Sequence, residues 1–114
     1  MKPSRGEVWM IDPDFVVGNE MARVRPALVV SDDRLNHSGA ALSFVVPVTA
    51  KIRGVITQLA LAPPEGGLQV ESALMCEQLR SLSHSRFRRR MGRVEPGTLG
   101  RVESILARLL CLSR

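Results

Sequence analysis

No stretch of this chain stays apolar for long. Its hydrophobic runs stop at about six residues, far below the roughly 18 that a bilayer-spanning helix needs. That argues against a membrane span. Met1-Lys2-Pro3-Ser4 leads into strand-like sequence without the apolar region of a signal peptide, so a cytoplasmic location is expected. Cysteine is nearly missing: Cys76 and Cys111 are the only two, with no Cys-x-x-Cys spacing and no neighbouring histidine. Neither a zinc site nor a disulfide framework is supported, and both read as reduced packing residues. No metal or cofactor is expected. Repeats, linkers and low-complexity tracts are absent as well, and 114 residues suit one domain, 1–114, with a single core.

Lysine is scarce too, at two of sixteen basic residues, so the charge is carried by arginine. Residues 1–50 hold five basic and six acidic side chains and residues 51–114 hold eleven and five, which places the source of the +5 formal charge in the second half. The densest stretch is Arg86-Phe87-Arg88-Arg89-Arg90-Met91-Gly92-Arg93. Such a run can bind phosphates through charge and counterion release, or it can be a solvated face. Both readings stand at this level.

Short strands separated by turn residues dominate the pattern. Gly6–Ile11 reads as a first strand ended by the turn signal Asp12-Pro13-Asp14, and a connection containing Gly18-Asn19-Glu20 follows. Arg25–Ser31 is the second strand, with Pro26 near its start, where a missing N–H costs least. Asp32–His37 suits one helical turn capped by Asp32. Leu42–Thr49 and Val55–Leu61 are the next strands, and Pro63-Pro64-Glu65-Gly66-Gly67 is a further turn. Ser72–Leu82 contains helix formers, yet its alternation and its neighbours favour a long bent strand. Arg93-Val94 ends one more short strand, and Glu95-Pro96 opens a helix whose Leu99, Val102, Ile105, Leu106, Leu109 and Leu110 share one apolar face. The sum predicts a mainly β fold with helices: a small half-open β-barrel with a C-terminal amphipathic helix.

Two phrases set a reactive residue at a strand end. Arg25 enters Val24-Arg25-Pro26-Ala27-Leu28-Val29-Val30, and Thr49 leaves Phe44-Val45-Val46-Pro47-Val48-Thr49. If the strands pair, the two share one rim. The planar fork of arginine matches phosphate oxygens in two-point hydrogen bonds, so the pair points to nucleic acid.

The ordered set Arg5-Gly6-Glu7-Val8-Trp9, Gly18-Asn19-Glu20, Val24–Val30, Val46-Pro47-Val48-Thr49 and Glu77-Gln78-Leu79-Arg80-Ser81-Leu82 resembles the MazF/PemK family of type II toxin–antitoxin endoribonuclease toxins along nearly the whole chain. The resemblance implies an SH3-like barrel, a homodimer and a cognate antitoxin. It also implies an mRNA interferase: metal-independent, sequence-specific cleavage of single-stranded RNA through attack by the 2′-hydroxyl, giving 2′,3′-cyclic phosphate and 5′-hydroxyl ends. One departure is local. Many members follow the Gly-x-Glu segment with Gln and then Gly, whereas here Glu20 precedes Met21-Ala22-Arg23-Val24.

Within that resemblance Arg25 and Thr49 are the catalytic candidates. A guanidinium with a pKa above about 12 is a poor general base, so Arg25 is read as stabilising charge on the phosphorane, with Thr49 orienting the same phosphate. Glu20 could accept a proton, and Gln78, Arg80 and Arg86 are supporting or RNA-binding candidates. His37 and His84 lie in polar turns away from the matched segments and are not favoured as an acid–base pair. Trp9 could stack on a base, pack the barrel or face a second copy. The antitoxin is expected to carry an acidic tail with hydrophobic anchors. Two alternatives remain: a CcdB-like gyrase inhibitor, which would not need Arg25 beside Thr49, and a non-catalytic SH3-like RNA-binding module, in which the arginine run would dominate.

Overall fold

The computed structural model describes residues 2–13 and 24–112. Among them seven strands form one antiparallel sheet: β1 (Glu7–Ile11), β2 (Arg25–Val29), β3 (Leu42–Thr49), β4 (Gln58–Leu61), β5 (Ser72–Met75), β6 (Arg80–Ser83) and β7 (Phe87–Arg93). The order is β4-β5-β3-β2-β1-β7, with β6 beside β3. β3 changes partner along its length, pairing Leu42–Val45 with β6 and Val48 and Thr49 with β5. The sheet therefore turns over on itself, and because β4 and β7 end the order without pairing, the barrel stays half-open.

Alternation along the central strands explains how one sheet serves two cores. Val8, Leu28, Val46 and Val48 face one way and pack with Leu61, Leu68, Leu74, Cys76 and Val102. Trp9, Ile11, Ala27, Val29 and Val45 face the other way, against Leu82 and Phe87. Strands buried on both faces read as near-continuous apolar runs, which is the character of the 24–30 and 44–49 phrases.

Helix α1 (Asp33–Asn36) is one turn, and the Asp32 carboxylate accepts from the Arg34 N–H at 2.8 Å. Helix α2 (Pro96–Leu109) starts at its proline but is capped from outside. Glu65 Oε2 accepts from the Glu95 N–H at 2.9 Å and from the Thr98 hydroxyl at 2.5 Å. Arg5 joins the same helix to the sheet, donating to the Glu103 carboxylate and to the Val30 carbonyl. Val102 is fully buried, and Leu99, Ile105 and Leu106 pack against the main core.

Several expectations need correction. β4 begins at Gln58, because the Gln58 N–H closes a turn on the Val55 carbonyl at 3.0 Å and leaves 55–57 in the loop. The bent strand over 72–82 is two strands, broken by the 3-10 turn Cys76–Gln78. β7 spans all of Phe87–Arg93, so the arginine run is itself a strand. The last turn of α2 is uncovered, with Leu109 44% and Leu110 55% exposed. Only Cys76 is a packing residue; burial pushes its thiol up to about 11, with help from the Glu77 charge. Cys111 is exposed and sits past the helix at φ 57°. The other strand ends differ by one or two residues at most.

Two glycines let the turn before β5 close onto β7. Gly67 has φ +77°, and a Cβ on Gly92 would lie 2.7 Å from the Gly66 carbonyl carbon and 2.8 Å from the Gly67 nitrogen. Backbone cannot yield as a side chain does. Gly92→Ala should therefore destabilise the fold by about 2 kcal/mol or more in urea unfolding; a loss below about 0.5 kcal/mol would show that this packing is dispensable.

Candidate functional site

Because β1, β2 and β3 alternate in direction, the end of β1, the start of β2 and the end of β3 meet at one rim. The β2–β3 ladder ends with Ala27 facing Pro47, and Arg25 and Thr49 each lie two residues beyond it on their strands, toward the same rim. The two line a cleft of about 370 Å³ with Val24, Pro26, Val48 and Ala50. Arg25 is half-buried, and among the described residues none pairs with its guanidinium. The Thr49 oxygen accepts from the Lys51 N–H at 3.1 Å. That bond fixes the oxygen and leaves the hydroxyl proton without a protein acceptor among the described residues.

The chemistry of such a cleft is that of an anion site. It offers a cation with several N–H donors and one hydroxyl donor beside apolar walls. Its described lining contains no carboxylate and no imidazole, so it supplies charge stabilisation and not a proton acceptor.

The remaining candidates are placed elsewhere. Glu20 lies outside the described residues. Gln78 is exposed in the 3-10 turn before β6 and does not line the cleft. Arg80 sits opposite Val45, and its guanidinium donates to the Pro13 carbonyl at 3.1 Å, fastening β6 to the segment after β1. Arg86 belongs to the turn leading into β7, where its carbonyl accepts from the Asp12 N–H at 2.9 Å. The geometry thus joins Arg25 to Thr49 and leaves Gln78, Arg80 and Arg86 outside their cleft.

Aromatic and imidazole side chains take structural positions. Trp9 is 2% exposed, donates to Glu7 Oε1 at 3.0 Å and meets Phe87 edge-on at 5.7 Å, so packing prevails over base stacking. His37 bonds the Ser4 hydroxyl at 2.9 Å. His84 bonds the Ser43 hydroxyl at 2.9 Å beside Phe87, and burial, helped by the nearby Lys2 charge, lowers its pKa.

The arginine run is partly committed. Arg88 pairs with Asp12 at 2.9 Å, Arg90 with Glu7 at 2.8 Å and Arg93 with Glu7 at 3.6 Å. Glu7 was not singled out from sequence, although a signal existed: it alternates with Trp9 and Ile11 on an inward-facing register. A carboxylate at a buried position requires donors, and the run opposite supplies them.

Residues 4–110 match the family model for PemK-like, MazF-like toxins of type II toxin–antitoxin systems. The chain is 39% identical over 107 residues to the endoribonuclease MazF9 of Mycobacterium tuberculosis, covering 90% of this chain and 91% of that protein. It is 26% identical over 110 residues to the endoribonuclease EndoA of Bacillus subtilis, covering 95% and 94%. Its fold superposes on a chain of the MazE–MazF crystal structure (Form-II) from Deinococcus radiodurans with a TM-score of 0.84 at 26% identity, covering 97% of each chain.

Glu7, at the start of β1 and away from this rim, makes the stability of the fold sensitive to acid. Burial acts to raise its carboxyl pKa, but hydrogen bonds from Trp9, the Ser4 N–H and Arg90, with the Arg90 charge, hold it below the ordinary 4.5. A carboxyl depressed in the fold contributes stability that is complete above its unfolded value and is lost as pH falls through the lower folded value. Asp32, held at about 2 by hydrogen bonds from Arg34, and Asp33, lowered chiefly by the Arg5 N–H, contribute to the acid decline in either protein. Glu7→Gln should therefore lower stability near neutrality and flatten part of its decline as pH falls below the ordinary 4.5 in urea-midpoint measurements. An acid limb identical to that of the parent would contradict this role.

Proposed function

The chain belongs to the PemK-like, MazF-like toxin family of type II toxin–antitoxin systems, and on that premise we propose that it cleaves single-stranded RNA without a metal at the Arg25–Thr49 cleft. The observation that carries this reading is the cleft itself: an uncommitted guanidinium and a threonine hydroxyl brought together at adjoining strand ends. The endoribonucleases MazF9 and EndoA among its relatives supply the reaction class.

In the proposed step the ribose 2′-oxygen loses its proton and bonds to the adjacent phosphorus while the bond to the 5′-oxygen breaks. The 5′-oxygen takes up a proton. The products are a 2′,3′-cyclic phosphate and a 5′-hydroxyl. Arg25 donates to the nonbridging oxygens as negative charge grows on them, and Thr49 donates to the same phosphate. Donors that need no rearrangement at the moment of reaction are worth most where the charge develops. No proton acceptor is among the described lining; Glu20, five residues before Arg25 and outside the described residues, is the candidate carboxylate.

Both alternatives weaken against the same geometry. A gyrase-binding toxin has no use for an arginine and a threonine converging on one cleft. A non-catalytic RNA-binding module would keep its arginine run available, whereas Arg88, Arg90 and Arg93 are paired. The Deinococcus radiodurans neighbour is a MazE–MazF structure, which supports a cognate antitoxin as partner. An acidic segment with apolar anchors would complement a basic rim, and a homodimer is the assembly that the family resemblance implies.

Purified toxin free of antitoxin should cut single-stranded RNA in excess chelator. Arg25→Ala should lower kcat/KM about 1,000-fold and Thr49→Val about 100-fold, while Thr49→Ser stays within a few-fold of the parent. No cleavage by the folded parent, or equal cleavage by Arg25→Ala, would overturn the assignment.

A further inference from the structure

β7 meets β1 through two register shifts, one between Val8 and Trp9 and one between Met10 and Ile11. Arg90 is thereby paired with Trp9, and Arg89 with Met10. Successive residues of a strand face opposite ways, and extra residues at bulges re-aim their neighbours. Arg90 falls on the Trp9 side and reaches Glu7, while Arg89 falls on the Met10 side. Arg88 pairs with Asp12, Arg93 shares Glu7 with Arg90, and Arg86 is engaged. Among the described residues Arg89 is the one member of the run without a partner.

Arg89 lines a second cleft of about 460 Å³, with an apolar wall of Met10, Leu68 and Met91 and with Gln69 beside it. This cleft shares Pro26, Val48, Thr49 and Ala50 with the cleft of Arg25. The exposed Gln69 amide has no hydrogen-bond partner among the described residues. Two uncommitted polar groups over an apolar wall, continuous with a phosphate-binding cleft, are what an unpaired base needs. The volume is at the small end of the roughly 300–1,000 Å³ of ligand clefts and suits a single nucleotide.

We propose that this second cleft is a base-recognition subsite for the RNA nucleotide adjoining the scissile phosphate, with the base against Met10, Leu68 and Met91 and its edge read by Gln69 and Arg89. The inference rests on the assignment of the Arg25–Thr49 cleft to that phosphate. Arginine offers only donors, and glutamine adds two more with one acceptor. The recognised edge is therefore rich in acceptors, and guanine, whose O6 and N7 accept a two-point bond from arginine, is the base expected.

The test uses the full chain, with two readouts. Cut sites are sequenced from a randomised single-stranded RNA pool, and binding is measured with uncleavable 2′-deoxy oligonucleotides that differ only at the base in question. The parent should show a fixed base beside the cut. Arg89→Gln and Gln69→Ala should erase the preference at that position alone and raise KM about 10-fold or more, with kcat changed far less. Arg101→Gln on α2 removes the same charge outside both clefts and should keep the profile; folding of each variant is checked by its urea midpoint. If the parent cleaves and Arg89→Gln keeps both profile and KM, the subsite is overturned and the cleavage assignment survives. If the parent does not cleave, yet base-dependent binding is lost in Arg89→Gln, the subsite is supported and the cleavage assignment fails.

Discussion

The antiparallel register of β2 against β3, with Ala27 opposite Pro47, Leu28 opposite Val46 and Val29 opposite Val45, is the constraint on which the other features depend. Side chains on a strand alternate, so a slip of β2 by one residue against β3 would send Leu28 out of the main core and bring in a neighbour from the other face. Both faces are buried here, so such a slip gains nothing on either side. The register that fills two cores is also the one that brings Arg25 and Thr49 to one cleft. Reactive groups placed by packed strand ends are held more tightly than groups on a loop, and a site that acts by electrostatic preorganisation depends on that.

A second constraint sorts the charge. Strand β1 carries Glu7 within it and Asp12 just past its end, and these two carboxylates engage Arg88, Arg90 and Arg93. Partly exposed ion pairs contribute only about 0–1 kcal/mol each. Their larger effect is on availability: they determine which cations of a basic strand remain for a ligand. The strand alternation and the bulges of β7 leave Arg89 on the cleft side, while Arg25 stays uncommitted across a shared wall.

Much of this was legible in the sequence, for identifiable reasons. β3 was readable over its whole length because its apolar residues are bounded by turn signals, and α1 because Asp32 is a cap by chemistry. Arg25 and Thr49 stood out as polar residues ending apolar strands. Other features depend on contacts distant in sequence. Cys76–Gln78 turns because its flanking strands pair with neighbours on different stretches, which composition does not encode. Glu65 caps a helix thirty residues later, and no local signal announces it. The arginine run read as one basic patch, since its division between β1 carboxylates and an open cleft exists only once β7 is paired and bulged.

The central claim is that the RNA strand supplies its own nucleophile while Arg25 and Thr49 hold the phosphate it attacks. An oligonucleotide cleaved by the parent protein, resynthesised with one 2′-deoxy sugar at the cleaved nucleotide, tests this most directly. The account predicts that the bond survives although the oligonucleotide still binds. Cleavage at the same bond in the 2′-deoxy strand would show that water or another group is the nucleophile and would contradict it.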